Sequence, residues 1–328
     1  MLFRSRSPTI KEVALRSGVG IGTVSRVLNN SPQISEKTRQ KVLQAIEELN
    51  YVPNVAGKRL SQNRSYVIAV IVPVIAHPFF AKLVSGLELA ADAKGYSLLV
   101  ASSQHRIEKE REILKRLAQN EADGALFVTH YEHQESEFDN LAIVSIDRHL
   151  GKNIPIVTSN NYEATKEGVE YLIEKGCKRI AYLGTKPNQA SEVLLREQAY
   201  RDVMKAHGME ELVVNDSVDH GQESALIDKL FEKYQGFDGV FVSGCTLANL
   251  LYDEVKARGI KLPDELQIVS YDGEFSADHH VHITTLEQPL DLMAEKCVEL
   301  IIKKINEEND IELLNKFDCH LIKGETTK

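Results

Sequence analysis

No apolar run in this 328-residue chain approaches the roughly 18 residues that a membrane-crossing helix needs, so no membrane partner is expected. The opening residues, MLFRSRSPT, lack the apolar stretch of a secretory leader, and the expected location is cytoplasmic. Cysteine is scarce: Cys177, Cys245, Cys297 and Cys319 stand far apart with no CxxC pair, which fits reduced, buried thiols. Catalytic signatures are missing too. There is no nucleophile elbow, no GxGxxG after a strand and no Walker loop, so an enzyme and a cofactor are not expected. Asp278-His279-His280-x-His282 has the residue types of a metal site, but adjacent histidines in a surface loop rarely converge, and no metal is expected. No heptad tail follows Ile322-Lys323-Gly324, which argues against a coiled-coil tetramer.

What is present is a soluble composition, 43% hydrophobic and 27% charged, in a chain long enough for two or three domains. The net charge of -9 hides an asymmetry. Residues 1–65 hold 11 Lys and Arg against four Asp and Glu, whereas the rest holds 28 against 44. A cationic head on an anionic body suits a protein whose head alone meets a polyanion.

The head reads as three helices. Thr9-x-x-Glu12 has capping-box spacing and starts a helix that buries Ile10, Val13 and Ala14; Ser17-Gly18-Val19 ends it in a tight turn. A second helix, about Gly22 to Asn29, sets Val24, Val27 and Leu28 against a polar side bearing Ser25, Arg26 and Asn29. A third runs from Ser35 to about Leu49, with Ile46 and Leu49 inward. Any small three-helix bundle could share this outline. The turn chemistry and the positive charge favour a DNA-binding helix-turn-helix, whose second helix enters the major groove.

From Tyr66 the pattern becomes buried strands alternating with helices. YVIAVIV (66–72), SLLVA (97–101), GALFV (124–128) and AIVSI (142–146) form one array; RIAYLG (179–184), GVFVS (239–243) and LQIVSY (266–271) form another. Two such arrays imply two doubly wound α/β lobes, with a ligand at the carboxyl ends of the strands between them. Asp147 and Asp272 each follow a strand, and His77-Pro78-Phe79-Phe80 opens a helix after the first.

TVSRVLN and LNYVPN in the head, VPVIAHPFFAKLVSGLELAADAKGYSLLVASS, IVSIDR, IVSYDG and ITTLEQP in the body resemble the lactose/galactose repressor (LacI/GalR) family along the whole chain. The phrases IDRHLGKNIPIV and SYDG are similar to the sucrose-repressor branch. The resemblance implies a helix-turn-helix head (1–53), a hinge helix and linker (54–64), and an effector-binding and dimerisation body (65–328) of periplasmic-binding-protein type. Within the body it implies an N-subdomain of about 65–160 and 290–316 and a C-subdomain of about 161–289 and 317–328. DNA contacts would come from Thr9, Ile21, Thr23, Ser25, Arg26, Asn29, Lys58 and Leu60, with Leu60 as a minor-groove wedge. Effector contacts would come from Phe79, Phe80, Asp147, Arg196, Asp272 and Gln288.

Several residues depart from the family pattern: Gly20 and Gly22 at the recognition helix, Gly57 in the hinge, Asn160-Asn161, Ala199 after Arg196, and Gly244-Cys245. SVDHGQES (217–224) fits the family poorly and supplies no aromatic residue. The implied partners are double-stranded operator DNA, a sugar-like effector and a second copy of the chain, the helix from about Phe80 to Lys94 lying at the dimer surface. Two other readings stay open here: an enzyme on the same α/β scaffold, which would leave the basic head unexplained, and a catabolite-control-type regulator answering to a phosphorylated protein partner.

Overall fold

The computed structural model describes residues 8–28, 31–51, 64–187, 190–218, 221–273 and 281–328, and it divides into two compact units at Ser65 and Tyr66.

The first unit holds α1 (Ile10–Ser17), α2 (Ile21–Leu28) and α3 (Glu36–Glu48). The capping box is formed: the Thr9 amide donates to Glu12 Oε2 at 2.6 Å, and the Glu12 amide donates to Thr9 Oγ1 at 3.4 Å. Gly18 closes α1 at φ 69°, and the Val19 amide turns back to donate to the Ala14 carbonyl at 3.1 Å. Val13, Val24 and Val42, all fully buried, meet at the centre of the three helices. Ile46 and Leu49, expected inward on α3, are only partly buried; Val42 and Ala45 take the centre instead. Ser35 caps α3, and Val42 and Ala45, about one turn apart, form the buried face, with Ile46 and Leu49 packed against its edge.

The second unit contains two six-stranded sheets. The first is built from β1 (Val67–Val72), β2 (Ser97–Ser102), β3 (Gly124–Phe127), β4 (Ile143–Ile146), β5 (Ile156–Ser159) and β11 (Leu314–Phe317), in the order β11-β5-β4-β3-β1-β2, all parallel. The second has β6 (Ile180–Thr185), β7 (Leu212–Asp216), β8 (Gly239–Val242), β9 (Gln267–Tyr271), β10 (Thr284–Glu287) and β12 (His320–Ile322), in the order β12-β10-β9-β8-β6-β7. Only β12 runs antiparallel, against β10.

Both faces of each sheet are covered, which explains why the central strands are apolar without alternation. In β1, Ile68, Val70 and Val72 pack beneath α4 (Pro78–Asp92) and α10 (Leu290–Ile305), while Ala69 and Ile71 face α5 (Ile107–Leu117). The second sheet lies between α6 (Asn161–Glu174) with α7 (Leu194–Ala206) on one side and α8 (Ser224–Lys233) with α9 (Cys245–Ala257) on the other. The backbone passes between lobes three times, from β5 to α6, from β10 to α10, and from β11 to β12. Among the described residues, no helix is long and apolar enough to cross a membrane.

Candidate functional site

Two surfaces gather the residues singled out above. In the head, α2 buries Val24 and Val27 and turns Arg26 and Ile21 outward, Ile21 at 45% exposure. Thr23 and Ser25 are half-buried on the same short helix. Two other cations of this unit are already engaged: Arg16 reaches Glu48 at 2.5 Å, and Arg39 donates to the Ser31 carbonyl at 2.9 Å. Thr9 is committed to its capping box, its hydroxyl donating to Glu12 Oε2 at 2.9 Å. Asn29, Lys58, Leu60 and the hinge glycine Gly57 lie outside the described residues, as do Asp278, His279 and His280.

The second surface is a cleft of about 200 Å³ between the lobes of the body. Phe79, Phe80, Asp147, Arg196 and Asp272 all line it. Asp147 and Asp272 follow β4 and β9 directly, each in the left-handed region, φ 61° and 85°. That bend turns both carboxylates out of their sheets at the carboxyl ends of the strands, where ligands of open α/β sheets bind. The Arg196 Nη1 donates to the Ser243 carbonyl at 2.6 Å and stands 3.5 Å from Asp272 Oδ1, while its Nε donates to Asn161 Oδ1 at 2.7 Å. Its guanidinium lies 3.6 Å from the centre of the Tyr271 ring. Burial disfavours this cation, but Asp272, followed by Tyr271 and Asp147, outweighs burial and raises its pKa.

Gln288 does not line the cleft. It is 2% exposed, and its Nε2 donates to Asp272 Oδ1 at 2.7 Å, so it acts on the cleft only through that carboxylate. On the other lobe, Asp147 Oδ1 accepts from Thr158 Oγ1 at 2.6 Å, and Thr158 Oγ1 accepts in turn from Asn161 Nδ2 at 3.0 Å. Asn161 thereby connects Asp147 to Arg196 across the β5–α6 crossover. Burial raises the Asp147 pKa, against the pull of Arg148 and Arg196.

Sequence reasoning assigned no binding role to several groups that the fold brings here. Arg148 is buried; its Nε donates to the Thr129 carbonyl at 3.0 Å and its Nη1 to Ser191 Oγ at 2.6 Å. It ends the IVSIDR motif, directly after Asp147. His77, His105 and His130 stand against the Phe80 side of the cleft, with the His77 and Phe80 ring centres 5.1 Å apart. Glu223, from the stretch that fitted poorly, also lines it. Cys245 opens α9 there, its thiol pushed up to about 12 by burial and by Asp272, which keeps it protonated and chemically quiet.

With this geometry in view, comparison with known proteins gives a consistent answer. Residues 9–54 match the family model "Bacterial regulatory proteins, lacI family", and residues 169–327 match "Periplasmic binding protein-like domain". The chain is 32% identical to the ribose operon repressor of Halalkalibacterium halodurans, over 98% of this chain and 97% of the relative. It is 31% identical to the sucrose operon repressor of Streptococcus mutans, over 92% of this chain and 93% of the relative. Among solved structures, the complex of transcriptional regulator CelR with cellobiose is 28% identical, with a TM-score of 0.71 over 97% of this chain and 99% of that one. These relatives are named as regulators of transcription, not as enzymes.

Proposed function

We propose, from the premise that the chain belongs to the LacI family of bacterial regulatory proteins, that it represses transcription by gripping an operator with its head and releasing or tightening that grip when a sugar-like molecule enters its body. One observation carries the reading: a single chain joins a cationic helix-turn-helix to a two-lobed cleft in which Arg196, Asp272 and Asp147 converge. Arg26, Ser25, Thr23 and Ile21 on α2 are the groups that meet base edges and phosphates. Asn29, Lys58 and Leu60 complete the DNA contact in this proposal, and Thr9, besides capping α1, presents the start of that helix to the backbone.

In the cleft, carboxylates and a guanidinium form paired hydrogen bonds with neighbouring hydroxyls, and the Phe79 and Phe80 rings cover the C–H face of a sugar. The protein works as a homodimer in the cytoplasm. Leu89, 72% exposed on α4, supports placing a dimer contact along that helix. Names of relatives that concern ribose, sucrose and cellobiose support a carbohydrate effector. Coupling between the two sites is of order 1–3 kcal/mol, as is usual for ligand-controlled affinity. A mobility-shift titration of genomic fragments, with and without sugars, tests the proposal. Retarded fragments whose midpoint moves with one sugar are expected; failure to retard any fragment at low salt would end it.

A further inference from the structure

We infer that Glu110 and His133 are positioning residues: acting through Thr129, they hold Arg148 as a bolt between the two lobes of the body. Neither lines the cleft; what they set is the contact between its walls.

The sequence puts an acid where α5 calls for an apolar residue. Positions 110, 114 and 117 share the buried face of that helix, and Leu114 and Leu117 pack there with Phe127 and Phe138. Glu110, on the same face, is fully buried. The His133 ring is fully buried too, its centre 5.4 Å from that of Phe127 and 5.5 Å from that of Phe138. The second Glu110 oxygen, Oε1, has no hydrogen-bond partner among the described residues. Burying such a pair costs desolvation that its own attraction seldom exceeds, and apolar side chains of similar volume stabilise a core as well or better. Stability does not account for the pair; its connections do.

Glu110 Oε2 accepts from Thr129 Oγ1 at 2.6 Å and lies 2.8 Å from His133 Nε2. His133 Nδ1 lies 3.2 Å from Glu137 Oε2, and Arg111 grips that carboxylate from the surface, with Nε at 3.0 Å and Nη2 at 3.3 Å. Although burial pushes it up, Arg111, the Gln134 amide and His133 hold the Glu137 carboxyl down at about 2. Glu137 therefore only accepts, Nδ1 donates to it, and one proton lies between Nε2 and Glu110.

Thr129 passes this arrangement to the other lobe. Its carbonyl accepts from Arg148 Nε at 3.0 Å, and Arg148 Nη1 donates to Ser191 Oγ at 2.6 Å. The backbones of Arg148 and Ser191 form an antiparallel bridge. Beside it the Glu192 amide donates to the Asp147 carbonyl at 3.1 Å, and the His149 amide to the Ala190 carbonyl at 3.2 Å. Just beyond Ser191 begins α7, which carries Arg196. Polar contacts thus run from Arg111 through Glu137, His133, Glu110, Thr129 and Arg148 to Ser191, from the surface of one lobe into the other. Unlike the three backbone crossovers, the last of these links can open. With Glu110 gone, the Thr129 hydroxyl loses this acceptor, its peptide can rotate, and Arg148 loses a fixed anchor for Nε. On the regulatory reading, the bolt sets how firmly the lobes keep their register before an effector arrives.

Hydrogen exchange followed by mass spectrometry on the full chain, with no ligand or DNA added, tests the bolt separately from the repressor reading. Ser191→Ala, which removes the last link directly, should speed exchange about fivefold or more in peptides covering 147–149 and 190–194. Glu110→Leu combined with His133→Leu, which removes both partners together, should do the same while the melting temperature stays level or rises. Glu110→Gln, whose amide oxygen still accepts from Thr129 and His133, should keep exchange slow. Unchanged exchange in Ser191→Ala or in the double variant, or fast exchange in Glu110→Gln, would overturn the assignment. So would faster exchange spread evenly over the first lobe with a lower melting temperature, the mark of a merely structural pair. Should the double variant fail to fold, Thr129→Val, which keeps the volume and removes the hydroxyl, should speed exchange at the same peptides, and no change there would overturn the assignment equally.

Discussion

Asp147 answers to opposed demands. Its position at the end of β4 suits a ligand hydroxyl, yet burial raises its pKa, so its ionised form is held at a cost. A carboxyl group raised in the folded state contributes most below its unfolded value of 3.8 and loses that contribution as pH climbs to the raised value. Asp147→Asn keeps an acceptor for Thr158 and removes the titration. The melting temperature of the variant relative to the parent should therefore rise as pH increases from about 4, then level off; a flat difference would show that Asp147 does not titrate in this way. The same variant should bind the effector about tenfold or more weakly, since it loses a charge-assisted acceptor. Arg196→Ala should abolish the ligand-induced rise in melting temperature and leave operator retardation intact, and a persistent ligand response would remove Arg196 from the site. These cleft-lining residues were legible because they sit in short motifs, Asp147 and Asp272 at strand ends and Arg196 in the first turn of α7. Arg148, Asn161 and Tyr271 were not, because their roles depend on partners such as Ser191, Arg196 and Ser159 that only the folded chain brings close.

At the scale of elements, two glycines of the head differ in what they require. Gly18 adopts φ 69° with open space where a Cβ would stand, so substitution costs conformational energy and not a clash. Gly18→Ala should destabilise the α1–α2 turn by about 1 kcal/mol, and Gly18→Asn should cost less. Gly22 lies inside α2, also with open space around it, and Gly22→Ala should stabilise that helix by about 0.5–1 kcal/mol. Hydrogen exchange at the α1 and α2 amides of the full chain should show protection moving in opposite directions; a loss at both positions would mean that Gly22 has a packing role the structure does not show. Strand legibility follows composition in the same way. β1, β3, β4, β6, β8 and β9 lie inside their sheets and are nearly all apolar. β10 (TTLE), β11 (LNKF) and β12 (HLI) are short, and their polar residues serve the lobe crossovers and the sheet edges, so apolar patterning does not reveal them.

For the whole molecule, the division of charge decides how binding responds to salt. Operator affinity comes from the cationic head, so log K should fall linearly with log salt, at about -0.9 per phosphate neutralised. Arg26→Ala should remove specific retardation while the ligand-induced melting shift of the body persists; unchanged operator affinity would dismiss α2 as the reading element. Effector binding at the proposed cleft, whose lining carries both arginines and carboxylates, should change little over the same salt range.

Because the backbone runs from lobe to lobe three times, neither half of the body is one continuous stretch of sequence. Swapping a lobe with that of a cousin protein means moving separate pieces of gene together, and a frameshift near the end damages both halves at once. A change of ligand preference by single substitutions along the cleft therefore needs fewer coordinated changes to the gene than the exchange of a whole lobe.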